Sequence, residues 1–237
     1  MAVGLRQQET ARRAATAFAF ADSAFYETFM TTLNLAAIEQ TPLAHDPFDH
    51  VVVPGAINDM AMPAINADFP RIDTPGSHPV STLRYGPAFR AFLDALSDRP
   101  FARAMGAKLG MSLEDKPVMI TVRGQCRQTD GKIHIDSSGK LVTVLIYLNN
   151  AWEAPGGQLR LLRNDHDIED YAVELPPAAG TLLAFPCTPA SWHGHRPFEG
   201  ERRAIQLNWV RNRPYKWREQ TRHAISATLK KLSGRAR

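Results

Sequence analysis

The feature that most constrains the fold is a change of sequence pattern at Pro117. After this proline, short runs of β-branched and other apolar residues are separated by Gly, Pro, Asn and Asp. The runs are VMITV, KIHI, LVTVLIYL, QLRLL, YAVEL, TLLAF, SWHG and RAIQLNWV. Many short strands with turn residues between them are typical of a β-sandwich or a jelly roll. We therefore predict a β core over residues 117–211.

The chain before Pro117 has a mainly helical pattern. The stretch GPAFRAFLDALSD has the spacing of one apolar helix face, and RPFARAMGAKLG ends in the glycine expected after a helix. The Ala-rich stretch at 9–39 is also compatible with helix, whereas HVVVP at 50–54 predicts a strand closed by proline. The tail from Tyr215 returns to a helical pattern.

No repeat and no flexible linker divides the 237 residues, so we predict one domain over 1–237. Its parts are a mostly helical support at 1–116, the β core at 117–211 and a basic C-terminal helix at 212–237. The predicted fold class is mainly β with supporting helices.

Composition excludes several classes of protein. Two cysteines, Cys126 and Cys187, cannot form a disulfide framework or a thiolate metal cage, and they predict free thiols. No apolar run approaches the 18 or so residues that span a bilayer, and the N-terminus lacks the apolar region of a secretory signal. The sequence therefore predicts a cytoplasmic protein without a membrane partner.

The net charge of +4 is unevenly placed. Residues 211–237 contain nine Lys or Arg and one Glu, so the rest of the chain is net negative. A basic tail can contact nucleic acid or an acidic partner, and it can equally be the solvated face of a helix. Both interpretations stay open at this point.

A histidine and an aspartate lead the most apolar run. Residues two apart on a strand point to the same side, so His134 and Asp136 can share one metal ion or one hydrogen bond. Further along, His193 and His195 precede a Pro-Gly turn and a strand that starts with two arginines. Two histidines and one carboxylate form the triad that leaves open positions on Fe(II) in non-haem oxygenases.

Those two arginines, Arg202 and Arg203, must point to opposite sides of their strand. Arg203 shares one side with Ile205, Leu207 and Trp209, whereas Ala204, Gln206 and Asn208 share the other. An unpaired arginine inside a barrel is costly, and a bound dicarboxylate would remove that cost.

These residues, in this order, resemble the Fe(II)/2-oxoglutarate dioxygenase superfamily, in its prolyl 4-hydroxylase-like branch. The matching features are His134-x-Asp136, Thr143 and Tyr147 in LVTVLIYL, the segment GGQLRLL, His193 and Arg203. The resemblance covers residues 118–210, and PFDHVVVPGAI at 47–57 also matches. It implies a double-stranded β-helix, which is a jelly-roll or cupin-like core, with N-terminal helices and a C-terminal helix.

The resemblance also implies roles for individual residues. The iron ligands would be His134, Asp136 and His193, with His195 nearby rather than on the metal. The cosubstrate 2-oxoglutarate would be bound by four residues, Arg203 on its distal carboxylate, the hydroxyl groups of Thr143 and Tyr147, and Leu159 as apolar wall. The enzyme would use Fe(II), 2-oxoglutarate and O2 to hydroxylate a C–H bond, forming succinate and CO2.

One departure bears on the substrate. Enzymes of this branch often carry a tyrosine about ten residues before the first histidine, where this chain has Gly124 with Arg123, Gln125 and Arg127 around it. The expected substrate is therefore a small polar molecule or a prolyl residue of a protein, not a nucleic acid. The alternative function is a non-catalytic jelly-roll metal-binding module whose basic tail binds nucleic acid or a partner. Oligomeric state and a need for ascorbate stay open.

Overall fold

The computed structural model describes residues 32–222, and the chain there folds around two antiparallel β-sheets. The larger sheet has the strand order β1-β7-β4-β9-β3-β2, and the smaller has the order β6-β5-β8. The strands are β1 Val51–Val53, β2 His78–Pro79, β3 Val118–Cys126, β4 Lys140–Tyr147, β5 Leu159–Leu162, β6 Tyr171–Leu175, β7 Leu182–Pro186, β8 His193–His195 and β9 Gly200–Val210.

This architecture confirms the predicted fold class. Neighbouring strands in the larger sheet are mostly distant in sequence, with β4 between β7 and β9. Such crossing connections between two facing antiparallel sheets characterise the jelly roll and its double-stranded β-helix variant. The predicted core at 117–211 holds seven of the nine strands within the described residues.

Within the part of the chain that the structure describes, four helices precede the β core. They are α1 Leu35–Gln40, α2 Met62–Ala67, α3 Pro87–Ser97 and α4 Arg99–Leu109, with a 3-10 turn at Val80–Thr82. Much of the intervening chain is loop. Residues 213–222 are helical, as predicted for the tail, whereas residues 1–31 and 223–237 lie outside the described part. None of the helices between residues 32 and 222 has the length and apolarity needed to cross a bilayer.

Helices α3 and α4 form where the sequence spacing predicts them. All four residues of the predicted α3 face are buried, namely Phe89, Phe92, Leu93 and Leu96. Helix α4 begins at the Asp98 cap and ends at Gly110, whose φ of 65° is the left-handed conformation that glycine adopts readily. Both helices therefore pack their apolar sides against the outer face of the larger sheet.

Two apolar cores lie on opposite sides of the larger sheet. The outer core joins α3 and α4 to Ile205, Leu207 and Trp209 of β9, and the Trp209 ring lies 5.6 Å from that of Phe101. The inner core lies between the two sheets and is made by Phe48, Tyr147, Leu159, Leu161, Leu175, Leu183, Phe185 and Ala204. Because side chains alternate along β9, this strand contributes residues to both cores.

The run KIHI is not the strand that its pattern predicts. His134 makes only an isolated antiparallel bridge to His193, with both backbone hydrogen bonds at 3.0 Å. A turn ending at Asp130 precedes the run, and the chain turns again from Ser137 to Lys140. Too few residues remain between these turns for a continuous ladder.

Packing of α4 gives the first prediction. Phe101 is 1% exposed against Trp209, so Phe101→Ala should lower the free energy of unfolding by about 3 to 5 kcal/mol. Urea unfolding followed by circular dichroism measures this loss. Met60→Ala is the control because Met60 is 84% exposed, and it should change little. A Phe101 effect as small as that of Met60 would show that α4 does not stabilise the sheet.

Candidate metal centre

Three predicted ligands meet at one end of the space between the sheets. Ligand atoms of His134, Asp136 and His193 all lie within 4.8 Å of one another. His193 comes from β8 and His134 from the segment bridged to it, and their ring centroids are 4.3 Å apart. The structure therefore brings together the residues that the sequence proposed as a metal triad.

Both histidines have one ring nitrogen fixed by the backbone. The Nδ1 of His134 donates to the Lys132 carbonyl at 2.8 Å, and the Nδ1 of His193 donates to the Ser191 carbonyl at 2.9 Å. A proton on Nδ1 leaves the Nε2 lone pair free, and such second hydrogen bonds fix the tautomer of metal-binding histidines. The donor set therefore fits a divalent metal that accepts imidazole and carboxylate.

The carboxylate of Asp136 is held from two sides. Lys140 Nζ lies 2.5 Å from Oδ1, and the Thr143 hydroxyl donates to Oδ2. The Asn208 side chain in turn donates to the Thr143 oxygen at 2.7 Å. Burial alone would raise the pKa of Asp136, but the charges of Lys140 and His193 and these hydrogen bonds bring it below its usual range. Asp136 is therefore an anion near neutral pH.

His193 is buried beside an aromatic ring. Its ring centroid is 5.1 Å from that of Phe185, and burial followed by the proximity of His134 lowers its pKa to about 4, against the opposing effect of Asp136. The imidazole is thus neutral at physiological pH, which is the form that binds metals.

Further inside the barrel, a tyrosine and an arginine face each other. Tyr147 is fully buried, and its hydroxyl makes no hydrogen bond of normal geometry to any residue in 32–222. The guanidinium of Arg202 lies 5.3 Å from its ring centroid, and Arg202 Nε donates to the Gly157 carbonyl at 2.9 Å. Burial raises the pKa of Tyr147, and the charges of Arg202 and Arg123 offset part of that rise.

The structure corrects the orientation expected for Arg203. Its guanidinium pairs with Glu201 at 3.0 Å and lies 5.1 Å from the Phe69 ring, on the outer side of the sheet. Arg202 instead shares the inner side with Ala204, and it is 7% exposed. The reason is that Ile205, Leu207 and Trp209 pack against the helices. Because Arg203 alternates in phase with them along β9, its side chain also lies on the outer side of the sheet.

The other predicted residues all lie on the inner side. Thr143 contacts Asp136 directly, and Leu159 packs with Tyr147 in the inner core. His195 is buried away from the triad, with Nε2 3.9 Å from the Cys126 sulfur. Burial and then the charge of Arg202 lower the pKa of His195 to about 4.

Sequence analysis did not identify three residues that surround Asp136. They are Lys140, Asn208 and Cys187, whose sulfur lies 3.2 Å from the Thr143 oxygen. Burial and the charge of Asp136 raise the pKa of Cys187 to about 12, so it is an unreactive thiol. A signal existed for Lys140, which follows Asp136 by four residues across a turn, and for Asn208, which is polar on the inward side of β9.

The neutral state of His195 predicts a pH dependence of stability. Its pKa is about 6.5 unfolded and about 4 folded, so the unfolded chain binds more protons between these values. Stability is therefore retained above pH 6.5 and falls as the pH drops towards 4. In metal-free protein, His195→Gln should reduce the loss between pH 7 and pH 4.5 by about 2 to 3 kcal/mol.

Urea unfolding at the two pH values measures this effect. His166→Gln is the control, since the His166 side chain is 78% exposed. An unchanged pH dependence in His195→Gln would contradict a neutral, buried imidazole.

The ion pair of Lys140 with Asp136 gives a further prediction. The two side chains are 13% and 6% exposed, so Lys140→Met leaves a buried carboxylate without its cation. We expect the metal-free variant to lose about 3 kcal/mol of stability at pH 7, measured by urea unfolding. Lys132→Met, at an exposed position, should change little. Equal stabilities for the two variants would show that Lys140 does not neutralise Asp136.

Comparison with known proteins finds one family model that matches part of the chain. Residues 124–211 match the family model of the 2OG-Fe(II) oxygenase superfamily. The chain has no significant match among curated protein sequences.

Several solved structures resemble the chain at low sequence identity. A prolyl 4-hydroxylase from Pseudomonas putida is 18% identical, with 75% of this chain and 94% of that chain covered and a TM-score of 0.49. A 2OG-Fe(II) oxygenase family protein from Burkholderia pseudomallei is 19% identical, with 69% and 84% covered and a TM-score of 0.47. HygX from Streptomyces hygroscopicus, with nickel and 2-oxoglutarate bound, is 13% identical, with 68% and 81% covered and a TM-score of 0.48.

The matched segment contains all three members of the triad together with Thr143, Tyr147 and both arginines of β9. Over this segment the chain matches the 2OG-Fe(II) oxygenase superfamily, which is the family that its sequence was predicted to resemble and whose enzymes are oxidoreductases that use Fe(II) and 2-oxoglutarate.

Proposed function

We propose that the protein is a hydroxylase in which His134, Asp136 and His193 hold Fe(II) and in which Arg202 and Tyr147 bind the distal carboxylate of 2-oxoglutarate. One observation carries this proposal. Two imidazoles with fixed tautomers and one ionised carboxylate lie together, and the inner side of the larger sheet also carries a buried guanidinium that forms no ion pair with a carboxylate of residues 32–222.

Arg202 suits a dicarboxylate because no neighbouring carboxylate of residues 32–222 neutralises its positive charge. Within residues 32–222 its guanidinium donates to a backbone carbonyl and lies against a tyrosine ring, and it forms no ion pair. A buried cation of this kind is stabilised when a carboxylate binds it, and a guanidinium can donate two parallel hydrogen bonds. The Tyr147 hydroxyl could donate a third, since it is buried and makes no hydrogen bond of normal geometry to residues 32–222.

The residues around Asp136 would orient the third ligand. Asn208 donates to Thr143, and Thr143 donates to Asp136, so each side chain in this series is fixed by the next. Thr143 therefore acts on the metal ligand rather than on the cosubstrate. Leu159 and its neighbours in the inner core exclude water from the space beside Tyr147.

Fe(II) with bound 2-oxoglutarate would supply the oxidising power for O2-dependent hydroxylation of a C–H bond, with succinate and CO2 as the other products. The protein would bind and orient the reactants and keep the site dry. At this level the substrate is a small polar molecule or a prolyl residue. We propose no role for nucleic acid.

An anaerobic titration tests the proposal. Fe(II) and 2-oxoglutarate are added to purified protein, and the visible charge-transfer band between metal and keto acid is recorded. The wild type should give the band, and Asp136→Ala should lose it. Arg202→Met should need about 10- to 100-fold more 2-oxoglutarate, because a hydrogen bond to a charged group contributes about 1.5 to 3 kcal/mol.

Arg203→Met is the matched control, because it removes the neighbouring arginine on the outer side of the same strand. It should titrate like the wild type. An increased requirement in Arg203→Met with normal behaviour of Arg202→Met would restore the assignment made from the sequence. Bound iron without any band would indicate the non-catalytic metal-binding module instead.

A further inference from the structure

A second arginine lies on the inner side of the barrel and has no role in the function proposed above. Arg123 of β3 pairs in register with Ala204 of β9, a member of the inner core, so both side chains lie on the same side of the sheet. The Nε of Arg123 donates to the Ser77 hydroxyl at 3.0 Å. The residue is partly buried at the edge of the sheet, where β2 follows Ser77.

Arg123 and Arg202 differ from a buried arginine that serves the fold. Arg160 is 3% exposed, and it forms ion pairs with Glu169 at 2.8 Å and Glu174 at 2.7 Å. Within residues 32–222, neither Arg123 nor Arg202 forms an ion pair with a carboxylate. In the described part of the chain, the structural Arg160 is thus neutralised by two acids, whereas the two inner arginines have no ion-pair partner.

The positive charges of the two inner arginines, Arg123 and Arg202, repel each other. Burial lowers the pKa of Arg123, and the charge of Arg202 lowers it further, whereas Asp130 raises it. Asp130 does not pair with the guanidinium, and its carboxylate accepts from the backbone N–H of Arg127 at 3.1 Å. Two like charges that share a desolvated region are unfavourable unless anions bind there.

Binding of one 2-oxoglutarate does not neutralise the net charge of this region. Arg123, Arg202 and Lys140 outweigh Asp136 and Asp130 by one positive charge, and Fe(II) and a 2-oxoglutarate dianion would cancel each other. The loaded site would therefore keep an excess of one positive charge in a poorly solvated space. A substrate with one negative charge would neutralise it.

We propose that Arg123, with the Ser77 hydroxyl, binds a carboxylate or phosphate group of the substrate, so that the enzyme acts on an anionic small molecule. The inference rests on the proposed function, because it takes Arg202 as the residue that binds 2-oxoglutarate. A prolyl side chain within a protein offers no charge to Arg123.

Position and packing fix where Arg123 points. The pairing of β3 with β9 shifts register between Arg123 and Gln125, and Gly124 lies directly against Ile72. A Cβ atom on Gly124 would come within 2.7 Å of the Ile72 Cβ. The loop that contains Ile72 and Ser77 is thus seated on β3 and closes the sheet edge next to the Arg123 guanidinium.

The test begins with cosubstrate binding, so that failure of the proposed function can be recognised separately. The anaerobic charge-transfer titration is repeated on Arg123→Met and Arg123→Lys, with Arg203→Met as control. If Arg123 serves the substrate, the 2-oxoglutarate midpoint of Arg123→Met should stay within about twofold of wild type. The band also shows that the variant is folded. A midpoint raised as much as in Arg202→Met would make Arg123 a second ligand of 2-oxoglutarate and overturn the inference.

Substrate class is then measured with matched pairs of compounds. N-acetyl-L-amino acids are compared with their primary amides, sugar monophosphates with the free sugars, and an end-capped prolyl peptide serves as a neutral probe. Calorimetry measures binding to the anaerobic Fe(II)–2-oxoglutarate complex, and succinate formation measures turnover in air. We expect an anionic compound to bind at least about tenfold more tightly than its neutral counterpart, with tenfold loss in Arg123→Met and partial recovery in Arg123→Lys.

Each contrary outcome has a distinct meaning. Equal binding of neutral counterparts, preference for the capped prolyl peptide, or no binding by any anionic compound would overturn the inference while leaving the hydroxylase intact. Absence of the charge-transfer band in the wild type would overturn the proposed function and the inference with it.

Discussion

The register of β4 against β9 is the constraint on which the rest of the structure depends. This pairing places Thr143 opposite Asn208 and Tyr147 opposite Ala204. One side of the pair then carries the polar groups of the site, while the other carries the residues that pack on α3 and α4. A slip of one residue would exchange these sides and bury charges under the helices. Stability and function are therefore specified by the same ladder.

Polar groups inside the barrel are tolerated because each has a defined partner or a ligand to bind. Asn208, Thr143, Asp136 and Lys140 form a continuous series of contacts. Buried networks of this kind are favourable only when they are fully satisfied. Within residues 32–222, the Tyr147 hydroxyl makes no hydrogen bond of normal geometry, and the two inner guanidiniums form hydrogen bonds but no ion pair with a carboxylate. The proposed functions follow this division, with ligand orientation assigned to the connected series and anion binding assigned to the two inner guanidiniums.

Much of the fold could be predicted from the sequence, because strand periodicity is a local pattern. The triad followed from the His-x-Asp spacing and, for His193, from the family resemblance, although His134 lies in an isolated bridge and not in the expected strand. The inward orientation predicted for Arg203 was wrong. Alternation along a strand places two adjacent arginines on opposite sides of the sheet, but it does not determine which side faces the barrel interior. The large residues Ile205, Leu207 and Trp209 would have favoured the helix side, but only if packing of helices on that side had been assumed. Contacts such as Arg123 with Ser77 join distant segments and leave no periodic signal.

The backbone bridge between His134 and His193 has a consequence for how a metal would be captured. Two reciprocal hydrogen bonds between main-chain groups hold these residues together, independently of their imidazoles. Two of the three ligands are consequently neighbours before any ion arrives, and the loss of chain entropy needed to bring them together occurs during folding. Because the bridge involves only main-chain atoms, replacing either imidazole would remove a ligand and leave the arrangement of the strands in place. The backbone of the barrel therefore holds the positions of these two residues whether or not their side chains can bind a metal.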